Sequence, residues 1–404
     1  MTITSHDSIP VAKRLSRFTY AIRNVVFEAK RVEARGRTVQ YLNIGDPIAF
    51  GFHTPPHLIE AVERAMRDGH NGYGPSAGSP EAREAVAYEL TSRGFPMSAD
   101  RTFVTAGTSE AIELCLNALV DEDSDVLVPM PTYPLYTAVL AKLGARARFY
   151  RTDPSRAWEP DLDHLRSMIT PATRALVVID PNNPTGASYS TEVRRGLLEL
   201  ADQFGLVVVA DEVYGDLGYD GPVPSIGSLD PDAAIISFSS MSKAYLAPGW
   251  RTGWMGVGRS PRLNDVVAAL GKLADGRLCS SVPLQSAVVA ALRGDRSHQV
   301  AFRAALKERA EVTATCLNAM PGVSCVHPIA GFYAMPKVAL PPGRTDEEYV
   351  LELLRATGVL CVYGSGFGMP ATDGYLRIVF LAPPEQLRGV YALMADFTRD
   401  FLSK

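Results

Sequence analysis

The sequence contains no apolar run long enough to cross a membrane. Its longest apolar stretches are strand-sized, such as 206–210, against the roughly 20 residues a spanning helix needs. A surplus of positive charge is also missing. The 40 Lys and Arg stand against 44 Asp and Glu, a formal net charge of -4, which leaves no electrostatic footprint for nucleic acid or an anionic membrane surface. Cysteine is scarce and scattered. Cys115, Cys279, Cys316, Cys325 and Cys361 are odd in number and include no C-x-x-C pair, which argues against a disulfide framework and against a zinc–thiolate site. The seven histidines never form H-E-x-x-H, so no metal centre is expected. The start, Met1-Thr2-Ile3-Thr4-Ser5-His6-Asp7, lacks the apolar core of a signal peptide. A cytoplasmic globular protein is the expectation, and 404 residues leave room for more than one domain.

What the sequence does contain is an alternation. Short β-branched runs occur at 102–106, 125–129, 175–179, 206–210, 234–238 and 253–257, separated by stretches with helical spacing such as 110–116 and 192–203. Nearly continuous apolar strands separated by helices predict an α/β fold, with a mostly parallel sheet covered on both faces. In such sheets ligands collect at the carboxyl ends of the strands. After position 260 the pattern changes. An amphipathic region at 288–320 is followed by strand-like pieces at 331–336 and 375–380 and a closing helix at 385–402. This predicts a large domain over 51–295 and a smaller α+β domain formed by 1–50 with 296–404.

Several polar residues sit where that sheet would build a site. Ser240-Met241-Ser242-Lys243 follows the run 234–238. Lysines are rarely buried without a partner, although a surface lysine after a strand would look the same. Eight residues further on, Arg251 lies in Gly249-Trp250-Arg251-Thr252-Gly253. A guanidinium fork suits a phosphate, and the Ser240 hydroxyl can add a donor. Asp211 ends the run 206–210. A carboxylate there points into a cleft or is badly desolvated, and it needs a cation. A protonated pyridine nitrogen would supply one, and Tyr214 could reach the phenolic oxygen of the same ring. A helix cap or a core salt bridge is the plainer alternative. Pro181-Asn182-Asn183-Pro184-Thr185-Gly186 fixes a turn that leaves the Asn183 amide free to donate, or is simply a turn. Gly107-Thr108-Ser109 opens a helix after 102–106, so its N–H groups offer a phosphate cradle or an ordinary cap. Tyr133 could stack on a flat ring or pack as any aromatic. Jointly, these residues follow different expected strands at one sheet edge.

With these residues the sequence resembles the fold-type I pyridoxal-phosphate (PLP) aminotransferases of the alanine/aspartate/tyrosine group, over nearly its whole length. The matching motifs are Asn43-Ile44-Gly45-Asp46-Pro47, Tyr73 with Gly78, Gly107-Thr108-Ser109, Tyr133, Asn183-Pro184-Thr185-Gly186, Asp211-Glu212-Val213-Tyr214, Ser240-x-x-Lys243, Arg251 and Arg377. The resemblance implies a mostly parallel seven-stranded sheet in the large domain and a homodimer with shared active sites. It implies that Lys243 holds pyridoxal 5′-phosphate as a Schiff base and moves the substrate proton. Asp211 would hold the pyridine N–H, and Tyr214 and Asn183 the phenolic oxygen, with Tyr133 stacked on the ring. Gly107, Thr108, Ser109, Ser240 and Arg251 would bind the phosphate, joined by Tyr73 from the partner subunit. Arg377, Asn183 and Gly45 would take the substrate α-carboxylate. Within the group the likeness is greatest to alanine aminotransferases that use pyruvate and glutamate, carried by Tyr20-x-x-Arg23, Arg277-Leu278-Cys279 with Pro283-x-Gln285, and Gly364-Ser365-Gly366-Phe367-Gly368. Tyr20 and Arg23 are the candidates for a distal substrate carboxylate. Tyr133 replaces the tryptophan of aspartate-type enzymes, and no motif supplies an arginine for an aspartate side chain.

Other readings fit less well. Ser240-x-x-Lys243 is also the nucleophile motif of penicillin-binding proteins, but the companion Ser-Asp-Asn and Lys-Thr-Gly are missing. Gly74-Pro75-Ser76-Ala77-Gly78 matches a nucleophile elbow, yet a helical stretch at 58–69 precedes it where a strand is required. A different PLP reaction is the stronger rival, such as elimination, decarboxylation, oxidation or transamination of aspartate or aromatic substrates, because the protein selects which bond the cofactor breaks. A transcriptional regulator built on this fold would need a DNA-binding domain for which no residues remain.

Overall fold

The computed structural model describes residue 9 and residues 11–17 and 21–403. Its central sheet comprises β1 Thr102–Thr105, β2 Asp125–Met130, β3 Arg146–Asp153, β4 Glu159–Pro160, β5 Thr173–Ile179, β6 Val207–Asp211, β7 Ile235–Ser240 and β8 Gly253–Val257. They lie in the order β1-β8-β7-β6-β5-β2-β3-β4. The pairs from β7 through β6, β5 and β2 to β3 are parallel, whereas β8 runs antiparallel to both β7 and β1, and β4 to β3. The fold is the mostly parallel α/β sheet expected, with eight strands instead of seven. The additional strand is the two-residue edge piece β4.

The apolar runs are continuous because both faces are covered. Leu176, Val178, Val208 and Ala210 pack with helices Leu162–Met168 and Thr191–Gln203 on one face. Their neighbours Val177, Ile179, Val209 and Ile236 pack with helices Thr108–Leu119, Pro134–Leu143 and Asn264–Gly276 on the other, which is the period-two alternation of a strand. β3 escapes this pattern. Arg146, Arg148 and Arg151 interrupt its apolar residues, and only Tyr150 and Thr152 are buried, because it lies second from the sheet edge.

Ser79 caps helix Pro80–Ser92 by accepting from Ala82 N at 3.2 Å, with Pro80 in the first turn. Helix Pro56–Arg67 comes before Gly74–Gly78, so no strand feeds an elbow there. The amphipathic region at 288–320 belongs to two helices, Val282–Arg293 and Ser297–Asn318, separated at Gly294. Asp295 breaks the run by accepting from Ser297 N at 3.0 Å. Near the end of the chain, Leu376–Val379 forms the middle of a small antiparallel sheet between Tyr333–Ala334 and Val362–Tyr363. Among the described residues no helix is long and apolar enough to cross a membrane.

Leu176 is 0% exposed in the middle of β5. Leu176→Ala should lower unfolding free energy by about 2–5 kcal/mol, read by urea denaturation. A variant indistinguishable from the parent would show that this face of the sheet is not tightly packed.

Candidate active site

Ile179, Asp211 and Phe238 stand level across β5, β6 and β7, so the segments that follow them open on one edge. β8 runs the other way, and its first residue, Gly253, pairs with both Thr105 and Ser240. Arg251 therefore reaches the same edge from just before a strand, while Lys243 reaches it from just after one. A cavity of about 590 Å³ opens there. Of the residues expected from the sequence, it brings together Gly45, Thr108, Ser109, Tyr133, Asn183, Asp211, Tyr214, Ser240, Lys243, Arg251 and Arg377. Tyr73 does not join them: it is 89% exposed. Tyr20 lies outside the described residues. Arg23 falls in helix Ala21–Ala34, and its side chain also lies outside what is described.

One end of the cavity is built for an anion. Helix Thr108–Leu119 begins at Gly107 with no side-chain cap, so its first N–H groups face the cavity edge. Thr108 Oγ1 is buried and has no hydrogen-bond partner. Arg251 Nη2 donates to Ser109 Oγ at 3.4 Å. Gly107 has φ +79°, and a Cβ on it would lie 2.7 Å from Arg251 Nη2. Arg251 itself is left-handed, with φ 50° and ψ 54°, which costs on the order of 1–3 kcal/mol. Loop closure at this edge holds it there and aims its guanidinium at the helix start. Backbone donors, hydroxyls and a guanidinium together suit a phosphate.

The other end suits a cationic ring. Asp211 Oδ2 accepts from Tyr136 Oη at 3.0 Å and Oδ1 from Val213 N at 3.4 Å. Burial pushes this carboxyl up to about 6, and no cationic side chain acts against that. Tyr214 and Tyr333 hydroxyls meet at 2.8 Å. Lys243 Nζ donates to Gly45 O at 2.7 Å. Burial pushes its amine down to about 8, opposed by Asp46 and helped by Arg377 and Arg251. A lysine so shifted has a larger neutral, nucleophilic fraction at physiological pH. Arg377 Nη1 donates to Asn183 Oδ1 at 3.4 Å and Nη2 to Asn43 O. Its guanidinium lies 5.0 Å from the Tyr333 ring centre and 4.8 Å from that of Phe367.

The family profile described as aminotransferase class I and II matches residues 37–391. The chain belongs to this family. It is a PLP-dependent transaminase, and the residues present fit the cofactor: the unsatisfied Thr108 hydroxyl and Arg251 suit its phosphate, Asp211 its ring nitrogen, and the Lys243 amine its aldehyde. The chain is 38% identical over 396 residues to an alanine aminotransferase of Mycobacterium tuberculosis, covering 95% of this chain and 91% of that protein. It is 36% identical over 401 residues to a glutamate-pyruvate aminotransferase of Haemophilus influenzae, covering 97% and 98%. The solved alanine aminotransferase of Pyrococcus furiosus superposes with a TM-score of 0.94 at 38% identity, covering 97% of this chain and all of that one.

Two lining or contacting residues escaped sequence reasoning. Tyr136 follows Tyr133 by one helical turn and reaches Asp211, a placement its spacing alone could have suggested. Tyr333 had no comparable signal, since its partner Tyr214 lies far away in sequence.

The pH dependence of stability tests the burial of Asp211. The folded carboxyl keeps its proton up to about 6, whereas the ordinary value is 3.8. The folded state therefore binds more protons between these values, and stability falls as pH rises through that window. In cofactor-free protein, Asp211→Asn should flatten this part of the profile. Parallel profiles for parent and variant would assign the effect elsewhere.

Proposed function

We propose that this transaminase moves the α-amino group between L-alanine and 2-oxoglutarate, giving pyruvate and L-glutamate, in a reversible ping-pong cycle. The cation inventory of the cavity carries the reading. Among the described residues its lining lysine and arginines are Lys243, Arg251 and Arg377. With Lys243 committed to the cofactor and Arg251 to its phosphate, Arg377 remains for the α-carboxylate every amino acid carries. Among the described residues no lining cation is left for a substrate side chain, which suits the methyl group of alanine. The names of the relatives support the same choice. For the distal carboxylate of glutamate, the candidates are Tyr20 and Arg23.

Bound PLP supplies an electron sink that acidifies the substrate Cα–H. Around it, the neutral amine of Lys243 anchors the aldehyde and then carries the proton to and from Cα. Asp211 keeps the ring nitrogen protonated, and its costly ionisation makes that pairing favourable. Tyr133 covers one ring face, while Tyr214 and Asn183 donate to the ring oxygen. Gly107, Thr108, Ser109, Ser240 and Arg251 hold the phosphate. Gly45 and Arg377 orient the carboxylate, and the planar fork of Arg377 fixes it at two points. The reading divides the chain into a cofactor domain over 51–295 and a smaller one formed by 1–50 with 296–404. It also makes the enzyme a homodimer, in which the exposed Tyr73 reaches the partner's phosphate. Five cysteines, none of them in a disulfide, suit the cytoplasm.

Half-reaction rates with a panel of L-amino acids test the substrate. Alanine and glutamate should convert the cofactor to its amine form roughly tenfold or more faster than aspartate or tyrosine. A faster aspartate or aromatic half-reaction would overturn the alanine assignment. In Lys243→Ala, borohydride should no longer fix cofactor covalently, and turnover should fall about a thousandfold or more. Persisting covalent cofactor would remove Lys243 from its role.

Shared sites make a separate prediction. Mixing inactive Lys243→Ala subunits with impaired Tyr73→Ala subunits should restore activity, because one site of each heterodimer carries neither lesion. Verified heterodimers that stay inactive would place Tyr73 outside the partner's site.

A further inference from the structure

Tyr333 carries no motif signal, yet it touches several working parts of the site. Its strand, Tyr333–Ala334, pairs with Leu376–Val379, the strand that carries Arg377. Its ring lies 5.0 Å from the Arg377 guanidinium. Its hydroxyl lies against Gly45, where an added Cβ would collide with it, and the Gly45 carbonyl accepts from Lys243. The same hydroxyl stands 2.8 Å from that of Tyr214, both buried, with the rings edge to face at 84°.

The direction of that hydrogen bond follows from the chemistry around it. Burial first, and then Tyr333, holds the Tyr214 phenol well above its ordinary value, so Tyr214 keeps its proton. Each phenol has one proton to give. If Tyr214 spent its proton on Tyr333, it would turn a lone pair toward the cavity, where an anionic ring oxygen would be repelled. With Tyr333 donating, the Tyr214 proton faces the cavity. A hydroxyl that accepts a hydrogen bond is also polarised into a better donor.

We propose that Tyr333 is a positioning residue, whose hydroxyl donates to Tyr214 and turns the Tyr214 O–H toward the ring oxygen of the cofactor as a strengthened donor. The inference rests on the reading that Tyr214 serves that oxygen. Stronger donation to the ring oxygen weakens its hold on the proton it shares with the neighbouring lysine-bound nitrogen. Loss of the Tyr333 hydroxyl should therefore raise the pH at which that proton leaves.

Spectrophotometric pH titration of the visible cofactor band, in holoenzyme, reads this directly. Tyr214→Phe should raise the midpoint. Tyr333→Phe keeps the ring and its packing and should raise it by a smaller amount, about two- to fivefold in proton affinity. The double variant should match Tyr214→Phe alone, since the effect passes through Tyr214. Gly45→Ala, which crowds the Tyr333 hydroxyl without removing it, should shift the midpoint in the same direction and serves if Tyr333→Phe folds poorly. A wild-type midpoint in Tyr333→Phe, or in Gly45→Ala where that variant substitutes for it, would overturn the proposal. So would a Tyr333→Phe shift that persists at full size in the Tyr214→Phe background. An unmoved midpoint in Tyr214→Phe would instead refute the placing of Tyr214 at the ring oxygen, and the inference with it.

Discussion

Asp211 stands at the carboxyl end of β6, its oxygens held by one phenol and one backbone N–H, and burial makes its ionisation costly. Removing a carboxylate from water without a cation is among the more expensive things a fold can do. In the function proposed above, the missing charge is the one the cofactor would bring. The rest of the site takes its arrangement from that point. The anion-seeking end lies where Arg251 and the start of helix Thr108–Leu119 converge, and the Lys243 amine stands where it reaches Gly45. The cavity thus holds an anion-seeking end and a cation-seeking end, an arrangement that would suit a zwitterionic ring.

Much of this was legible because each chemical residue follows an apolar run. Asp211, Asn183, Thr108 and Lys243 stand out against valines and isoleucines whose burial is unambiguous, and the six runs seen in the sequence are all strands. What stayed hidden has physical reasons. β3 looks like a polar segment because its arginines reach solvent near the sheet edge. The antiparallel course of β8 leaves no trace in composition, since a strand buried on both faces is equally apolar in either direction. Tyr136 and Tyr333 owe their positions to contacts between segments far apart in the chain. A tyrosine in an apolar stretch looks like packing until its hydroxyl is seen to have a polar partner.

The pairing of Tyr214 with Tyr333 also joins two parts of the molecule. Tyr214 follows a strand of the central sheet, and Tyr333 belongs to the small antiparallel sheet that carries Arg377. Arg377 and Tyr214 are therefore referenced to a common side chain, Tyr333. Neither side chain can drift independently of the other while that contact holds.

The reversed course of β8 governs how this chain can change over generations. Ser240 is paired with Gly253, and Met241 N donates to Thr252 O at 3.0 Å, so residues 241–252 form a loop tied off at its base. The amine and the guanidinium both hang from it. An insertion or deletion inside it would slide one group past the other, and a one-residue slip in the flanking strands would invert their faces. Its exposed side chains can be exchanged more readily than its length can change, whereas Lys243, Arg251 and the buried Met241 and Tyr245 are held by the site and the core. Heritable variation there should appear as substitution at constant spacing, while the solvent-facing ends of the sheet absorb the gaps.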